Sequence, residues 1–277
     1  MGDYLNPQYD YQSEEFVNFS DEVSLWSAMF GQVLLDRMPM QPNQTVLDFG
    51  CGAGFPTIEI AQRLGDSCQV YGIDIWSAAL IRAQQRKAWF NLQNVQFIEG
   101  DIGASPFENE MFDLLVSNLG VNNFENPVKV FHECARIARP GARLILTTNP
   151  NTHMHEFYTI YERTLSEMNR DHLLPRLRQH VAHRLNGEQL LHLLGDAGFS
   201  IIQIDHQTQC MRFLNGSTFL RHAFIRTGFM DGWKNVLPQD DQVGIFQQLE
   251  ANINQQAQIH GEFQVTIPIL YLEAERT

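Results

Sequence analysis

A run of alternate glycines and three carboxylates are the residues of this sequence best suited to bind a ligand. Residues 46–54 read VLDFGCGAG, so Asp48 stands just before a turn with glycines at positions 50, 52 and 54. Glycine permits sharp turns and a close approach of the backbone to a ligand. A strand that leads through such glycines into a helix is typical of a nucleotide-binding turn. A tight turn without a ligand is the alternative for the glycines alone.

The spacing of these glycines narrows the choice of ligand. The dinucleotide pattern G-x-G-x-x-G needs a small residue at the position that Phe55 occupies here. The carboxylate of Asp48 would repel a pyrophosphate but attract a cationic amino-acid tail. Asp74 follows the next predicted strand, where its carboxylate can accept hydrogen bonds from both hydroxyls of a ribose. These residues favour a nucleoside with a cationic tail.

A third carboxylate follows the third predicted strand. The segment FIEGD places Asp101 there, where the carboxylate or the neighbouring backbone can hold an adenine amino group. Any one of these carboxylates could be a solvated loop residue. Three of them at the carboxyl ends of successive strands are much harder to explain without a ligand.

The elements that position these residues alternate along the chain. Short apolar runs predict strands at 45–49, 69–73, 95–98, 112–117 and 143–148, and helical spacing predicts helices at 56–64, 77–90 and 127–138. Asn126 can cap the last of these helices, with Pro127 at its first position. This alternation predicts an α/β fold with a parallel sheet and helices on both faces.

The rest of the chain is less regular. Asn186 and Gln189 resemble a capping box that opens a helix, and strands follow at 201–205 and 263–272. We expect an N-terminal helical cap over residues 1–44 and one α/β domain over 45–277. Its substrate-side insertions, at about 151–185 and 209–260, fall where loops commonly cover the ligand of such a sheet.

Composition limits the partners and the location. The 277 residues carry a net charge of -13, which repels phosphate backbones, so we expect no nucleic-acid partner. The four cysteines are widely spaced, which predicts reduced thiols in the cytoplasm and no zinc or other metal site. No apolar run is long enough for insertion into a membrane. The sequence leaves the oligomeric state open.

Taken together, these motifs resemble the class I S-adenosylmethionine-dependent methyltransferases, in particular the small-molecule branch that includes the quinone-biosynthesis C-methyltransferases. The resemblance is carried by residues 46–54, 72–74 and 100–102, by FDLLVSN at 112–118 and by RPGARL at 139–144. It implies a Rossmann-like seven-stranded sheet of order 3-2-1-4-5-7-6 with the last strand antiparallel. It also implies methyl transfer to an O, N or C nucleophile of a small organic acceptor.

The resemblance further implies a role for each matching position. The methionine part of S-adenosylmethionine would lie against Gly50, Cys51 and Gly52, with Asp48 supporting its amino group. The ribose would be held by Asp74 and the adenine covered by Ile75. Asp101 and Ile102 would contact the adenine, and Asn118 would lie beside the sulfonium.

The catalytic residues are less well defined. Alignment of the acceptor with the methyl group accounts for most of the expected rate gain, and a general base is needed only if the acceptor is protonated, an acidic hydroxyl or a carbon acid. His153, His155 and Tyr158 are the candidates, and each could instead be structural. Phe157 and Tyr158 share an apolar helical stripe whose N-terminal half we predict to roof the acceptor, with packing in the core as the alternative. A nicotinamide-dependent oxidoreductase and a non-catalytic subunit that binds S-adenosylmethionine are the alternatives to a methyltransferase.

Overall fold

A computed structural model of the chain describes residues 4–5, 9–22 and 25–277, and it contains one seven-stranded sheet. The strands are β1 Thr45–Phe49, β2 Gln69–Asp74, β3 Val95–Glu99, β4 Phe112–Asn118, β5 Ala138–Thr148, β6 Phe199–Phe213 and β7 Phe263–Arg276. Their order is β3-β2-β1-β4-β5-β7-β6. β1 to β5 pair in parallel, and β7 runs antiparallel to β5, from Thr148 opposite Leu270 to Arg143 opposite Glu275. The predicted sheet order is confirmed.

Twelve α-helices occur among the described residues. They are α1 Glu14–Glu22, α2 Leu25–Leu35, α3 Thr57–Leu64, α4 Ser77–Trp89, α5 Pro127–Ile137, α6 His155–Glu167, α7 Leu174–Ala182, α8 Gly187–Asp196, α9 Gly216–Arg221, α10 Ala223–Gly228, α11 Met230–Asn235 and α12 Gln239–His260. The side chain of Asn126 caps α5 by accepting from the amide of Lys129, and Asn186 and Gln189 form the predicted capping box of α8.

The described residues form two compact units. The sheet unit comprises those within 10–148, 185–207 and 269–277, and the helical unit those within 1–9, 149–184 and 208–268. The predicted cap over residues 1–44 includes positions 1–3, 6–8 and 23–24, which lie outside the described residues. In that region α1 and α2 belong to the sheet unit. The cap and the substrate-side role of the insertions remain predictions.

The core of the sheet unit follows the alternation of side chains along its strands. On β1, Leu47 and Phe49 point into a buried cluster together with Phe131 and Cys134 of α5 and Leu194 of α8. Side chains two residues apart share a face of a strand, so Val46 and Asp48 point to the opposite face. The helices α3 and α4 contact β2 and β3. Burial of both faces agrees with the apolar residues Val46, Leu47 and Phe49 on β1, and Asp48 is the exception.

Aromatic rings form the core of the helical unit. Phe157 of α6 is fully buried and stacks on Trp233 of α11, with ring centroids 4.0 Å apart. Phe219 of α9 lies 5.3 Å from Phe157, and the Tyr161 hydroxyl donates to the carbonyl of Trp233 at 3.0 Å. These contacts support core packing for Phe157, which was the alternative to the predicted roof over the acceptor.

The largest differences from the predicted strand bounds lie in β5 and β6. β5 begins at Ala138, although the sequence from Arg139 to Gly141 favoured a turn and a start at position 143. Its register shifts, because the pairs Phe112–Ala138 and Leu114–Arg143 are separated by two residues on β4 and five on β5 (112 to 114, 138 to 143). The turn residues therefore form a bulge within the strand.

The strand predicted at 201–205 extends instead from position 199 to 213. As β6, it lies at the edge of the sheet and is mostly exposed, so much of it lacks an apolar signal.

Candidate functional site

A pocket of about 950 Å³ lies at the carboxyl ends of β1 to β4 in the sheet unit. Segments after each of these four strands line it, as the general rule for ligand sites in α/β sheets predicts. The lining residues are Gly50, Gly52, Ile73, Asp74, Ile75, Trp76, Gly100, Asp101, Ile102, Gly103, Gly120, Asn123, Phe124, Glu125, Asn126, Lys129 and Val130.

The glycine turn forms the floor of this pocket. Gly50, Gly52 and Gly54 all have positive φ, at 78°, 51° and 90°, a conformation that disfavours other residues. A Cβ atom on Gly52 would meet no described atom within 4 Å, so this backbone faces open space. A Cβ atom on Gly54 would lie 3.1 Å from Ala83 and 3.2 Å from Phe97. The second glycine thus exposes backbone to the pocket, and the third allows close packing.

Asp74 links the glycine turn to the end of β2 through hydrogen bonds. Its Oδ2 accepts from the amide of Gly52 at 2.7 Å, and its Oδ1 accepts from the amide of Trp76 at 2.9 Å. The amides of Gly50 and Cys51 donate to the carbonyl of Ile73. Each carboxylate oxygen has a second lone pair, so Asp74 can still accept from two ligand hydroxyls.

Asp101 caps the short 3-10 helix Ile102–Ala104 by accepting from the amide of Gly103 at 2.8 Å. The Lys129 ammonium lies 3.5 Å from its other oxygen, and both side chains are more than half exposed, so this ion pair contributes little to stability. Ile75 also lines the pocket and is 72% exposed. An apolar side chain so exposed at a pocket wall can gain burial from a bound planar group.

Asp48 is completely buried beneath the glycine turn. Its Oδ2 accepts from the hydroxyl of Thr57 at 2.6 Å, whereas its Oδ1 has no hydrogen-bond partner in the described part of the chain. Burial raises the pKa of Asp48 to about 7, the bond from Thr57 opposes this, and the charge of Asp74 adds to it. Burial, followed by the charges of Asp48 and Asp74, also raises the pKa of the Cys51 thiol, so that side chain is protonated and unreactive.

Six of the nine predicted cofactor-binding residues line the pocket: Gly50, Gly52, Asp74, Ile75, Asp101 and Ile102. Asp48, Cys51 and Asn118 do not. The amide of Asn118 is held at both ends, since it donates to the carbonyl of Ser27 at 3.0 Å and accepts from the Thr147 hydroxyl at 2.9 Å. The individual roles of all nine residues remain predictions.

Sequence reasoning missed the wall that follows β4. Phe124, Glu125 and Asn126 lie in the loop that leads into α5, and the ring of Phe124 stacks on Phe49 with centroids 5.9 Å apart. Trp76, just after Asp74, was also missed. In α/β sheets, ligands bind beyond the carboxyl ends of the strands, and this rule identified Asp74 and Asp101. The same rule applies to these loops, so the sequence did contain a signal for them.

The three catalytic candidates all belong to the helical unit. His153 is fully buried, with Nδ1 3.2 Å from the carbonyl of Pro150. Burial, and next the positive charge of Arg184, lower the pKa of His153 to about 3, which makes it a poor general base near neutral pH. Burial raises the pKa of Tyr158, whose hydroxyl accepts from Nε1 of Trp233 at 3.1 Å. His155 is exposed, with Nε2 3.5 Å from Glu156. Their catalytic roles remain predictions.

Within residues 4–5, 9–22 and 25–277, no group of three or more His, Cys, Asp or Glu side chains is placed to hold a metal ion. In the same ranges, no helix combines the length and the apolar character that a bilayer crossing requires.

Comparison with known proteins identifies the family. The family model described as "Methyltransferase domain" matches residues 40–198. The arsenite methyltransferase of Halobacterium salinarum is 35% identical over 108 residues, which cover 39% of this chain and 28% of that protein. The 2-phytyl-1,4-naphtoquinone methyltransferase of Trichormus variabilis is 28% identical over 161 residues, covering 58% of this chain and 68% of that protein. The chain spans about half the length of several other curated relatives.

A solved structure agrees in fold. A SAM-dependent methyltransferase from Aquifex aeolicus superposes with a TM-score of 0.54 at 18% identity, covering 69% of this chain and 91% of that one. The family model covers more than half of the residues, and the chain therefore belongs to the methyltransferase domain family.

Proposed function

We propose that this protein transfers a methyl group from S-adenosylmethionine to an O, N or C nucleophile of a small organic acceptor. The observation that carries the proposal is the pocket at the carboxyl ends of β1 to β4, which lies wholly within residues 40–198. Its glycine turn and its carboxylates suit a nucleoside joined to a cationic amino acid, and the family match supports the same cofactor.

The residues present fit this cofactor at three points. The backbone at Gly52 faces open space, and a side chain at this position would occupy part of that space. Asp74 keeps unused lone pairs for ribose hydroxyls. Oδ1 of Asp48 is a buried acceptor without a donor, which suits support of an ammonium group. Ile75, Asp101 and Ile102 would hold the adenine.

When bound, S-adenosylmethionine supplies a methyl group on a positively charged sulfur, which makes that methyl electrophilic. The protein's contribution is to hold and orient the two reactants, which can lower the barrier by roughly 7 to 11 kcal/mol. The carboxylates of Asp74, Asp101 and Glu125 at the pocket favour a cationic ligand. Asn118, fixed at both ends of its amide, is rigid enough to orient a neighbouring group.

We also propose that the acceptor is not a nucleic acid and that the protein acts in the cytoplasm. The net charge of -13 opposes binding of a phosphate backbone. From the last residue of β4 the sequence reads Asn118-Leu119-Gly120, and it lacks the Pro-Pro pair of enzymes that methylate nucleobase amino groups. The four cysteines are free thiols, and Cys210 is exposed, which suits a reducing compartment.

Isothermal titration with S-adenosylhomocysteine and with NADH tests the cofactor. We expect Asp74→Ala to weaken S-adenosylhomocysteine binding by roughly 2 to 4 kcal/mol, because two charge-assisted hydrogen bonds to the ribose are lost. Asp66→Ala, an exposed carboxylate in the turn before β2, is the matched control and should bind normally. Tight binding of NADH alone would overturn the proposal in favour of an oxidoreductase. Unchanged affinity in a folded Asp74→Ala variant would show that the ribose is held elsewhere.

An activity screen distinguishes an enzyme from a non-catalytic subunit that binds S-adenosylmethionine. Phenols, quinols, carboxylates and amines are offered with methyl-labelled S-adenosylmethionine, and label transfer is measured. Transfer to at least one class is expected, and it should be lost in Gly52→Val, which cannot hold the cofactor. Binding of the cofactor without transfer to any class would favour the non-catalytic subunit.

A further inference from the structure

The first two helices of the sheet unit contact the walls of the cofactor pocket without lining it. We refer to residues 10–22, which include α1, and to α2 together as the brace, and both belong to the sheet unit. The residues that line the pocket lie between positions 50 and 130, so the brace can act on a cofactor only through these walls. Val17 of α1 is buried on α4 in a small cluster on which Ala53 and Trp76 also pack.

Arg86 of α4 connects the brace to the glycine turn. Its Nη1 donates to the carbonyl of Ala53, the residue between the second and third glycines, at 3.2 Å and to Oδ1 of Asp21 at 3.0 Å. The other oxygen of Asp21 accepts from Nε of Arg82 at 3.0 Å, so one carboxylate of α1 holds two arginines of α4. The side chain of Asp21 is only 12% exposed, and these ion pairs are therefore screened less than pairs at the surface.

Removal of this carboxylate would release the turn. Arg82 and Arg86 lie one helical turn apart on α4, where two like charges repel each other. Without Asp21, the guanidinium of Arg86 loses its fixed position, and the carbonyl of Ala53 loses a donor that the protein holds in place. Glycine has more backbone freedom than other residues, so a turn with three glycines depends on bonds from its surroundings to keep one conformation.

The second contact of the brace lies at the end of the turn. A Cβ atom on Gly31 of α2 would collide with the ring of Phe55 and would lie 3.5 Å from Nδ2 of Asn118. The ring of Phe55 therefore packs directly on the backbone of α2. The same amide of Asn118 donates to the carbonyl of Ser27, also in α2, at 3.0 Å. Even a methyl group at position 31 would displace the ring of Phe55, which directly follows the third glycine.

The third contact is at Trp76, which lines the pocket. Its indole Nε1 donates to the carbonyl of Tyr11 at 2.8 Å, and its ring lies 6.4 Å from that of Phe16. The backbone amide of Trp76 donates to Oδ1 of Asp74, whose other oxygen accepts from the amide of Gly52. The brace is thus bonded to the residue that itself bonds the carboxylate predicted to hold the ribose.

The end of β2 and the brace hold different parts of the turn. The carbonyl of Ile73 and the carboxylate of Asp74 accept from the amides of residues 50–52, whereas the brace contacts Ala53 through Arg86 and Phe55 through α2. A turn that is held along its whole length needs little ordering when a ligand binds. Preorganisation of this kind raises affinity without any new contact to the ligand.

We propose that the brace sets the affinity of the pocket for its cofactor by holding the glycine turn and Trp76 in the geometry that binds a nucleoside. Asp21 and Gly31 are the positioning residues, and they act through Arg86 and Phe55. The inference rests on the proposed function, because that function names the nucleoside cofactor. By linkage, the cofactor must stabilise the brace by the same factor by which the brace raises the affinity for the cofactor.

Isothermal titration of the full chain with S-adenosylhomocysteine tests both positioning residues. Asp21→Ala and Gly31→Ala should each weaken binding by about tenfold or more. Alanine is a better helix former than glycine, so a loss in Gly31→Ala cannot come from a weaker helix. Glu14→Gln is the matched control on α1, since this exposed carboxylate also bonds to α4, and the exposed Gln32→Ala is the control on α2. Both controls should bind within about twofold of wild type.

A double-variant cycle tests whether Asp21 acts through Arg86. Arg86→Ala alone should weaken binding about as much as Asp21→Ala does, and the two changes together should weaken it no more than either alone. About a hundredfold loss in the double variant, with about tenfold in each single variant, would show independent effects and refute the link. A purely structural Asp21 would lower the urea midpoint of its variant and leave the dissociation constant of the folded protein unchanged.

Affinity within about twofold of wild type in folded Asp21→Ala and Gly31→Ala would overturn the proposal, and a loss in one of them alone would overturn the role of the other residue. If neither variant folds, amide hydrogen exchange of the wild type decides. Saturating S-adenosylhomocysteine should then slow exchange in residues 10–22 and in α2 and leave α8 of the same unit unchanged. Protection confined to the segments that line the pocket would refute the role of the brace.

The wild type keeps the two proposals distinguishable. If it binds S-adenosylhomocysteine and the folded variants bind equally well, only the role of the brace is refuted. If the wild type does not bind S-adenosylhomocysteine, the proposed methyl transfer fails, and the inference that rests on it is overturned as well. For an acceptor found in the activity screen, Asp21→Ala should raise KM for S-adenosylmethionine about tenfold and change kcat by less than about threefold.

Discussion

Replacement of Asp48 by Asn tests whether this carboxyl group is buried in its protonated form. In the folded protein Asp48 is fully buried, accepts one hydrogen bond from Thr57 and has a pKa raised to about 7 by burial. The ordinary value of 3.8 applies to the unfolded chain. Asn has the same shape as the protonated acid but cannot ionise, so it removes the titration and keeps the bond from Thr57.

The sign of the effect follows from the raised pKa. Between pH 3.8 and about 7 the folded state holds a proton on Asp48 that the unfolded state has lost. Stability from this group is therefore fully present below pH 3.8 and is lost as the pH rises through about 7. Each pKa unit corresponds to ~1.4 kcal/mol, so the wild type should lose about 2.5 kcal/mol between pH 5 and pH 8 through Asp48. Asp48→Asn should lose none of it.

Urea unfolding of both proteins at a series of pH values measures this difference. The free energy of unfolding of Asp48→Asn minus that of the wild type should increase by about 2.5 kcal/mol from pH 5 to pH 8. Asp66→Asn, an exposed carboxyl group in the same unit, is the control and should show a flat difference. A difference for Asp48→Asn that stays within about 0.5 kcal/mol over this range would refute the argument from burial.

Asp48→Asn also tests the prediction that Asp48 supports the amino group of the cofactor. If an ammonium group binds next to ionised Asp48, binding below pH 7 must release the proton that the carboxyl holds. Calorimetry of S-adenosylhomocysteine binding in two buffers of different ionisation enthalpy counts the protons released. We expect more protons released by the wild type than by Asp48→Asn, and equal counts would remove Asp48 from the site.

We make definite predictions for two other substitutions, Gly52→Val and Phe157→Ala. Gly52→Val should abolish binding of S-adenosylhomocysteine in calorimetry, because a side chain there enters the pocket and the φ of 51° disfavours a β-branched residue. Binding within about threefold of wild type would show that the turn does not contact the cofactor. Phe157→Ala should lower the free energy of unfolding by about 3 to 5 kcal/mol, because the ring is fully buried on Trp233. Leu214→Ala, which removes an exposed side chain of the same unit, should cost less than about 0.5 kcal/mol, and an equally small loss for Phe157 would contradict its place in the core.

The sequence predicted the sheet unit well because its signals are local. β1 is apolar except for Thr45 and Asp48 and is followed by turn residues, and the prediction of 45–49 matches its observed ends. Asn126 and Asn186 act as caps through bonds within four residues of chain, so their patterns can be read directly. The start of β5 was missed because Pro140 and Gly141 favour a turn, and their accommodation in a bulge depends on the register with β4.

The cofactor pocket was predictable only where chemistry and position coincide. Asp74 and Asp101 are polar residues at the ends of apolar strands, and both line the pocket. Phe124 lies in a loop whose path is set by the stacking of its ring on Phe49, a contact between residues 75 positions apart (124 − 49). Asp48 is a residue whose position in the motif suggested that it lines the pocket. The alternation of side chains along β1 instead buries it below the turn.

The surroundings of His153 have no counterpart in any sequence motif, because side chains from several helices build them. His153 precedes α6, Tyr158 lies on it, His180 and Arg184 lie on and just after α7, and Phe229 stands between α10 and α11. No spacing within one element brings these residues together, since only the packing of four helices does so. His153 was noticed as a candidate base because it is a histidine close to the end of β5. Its environment opposes that role, because burial, and next the charge of Arg184, lower the pKa of the imidazole to about 3 and keep it neutral.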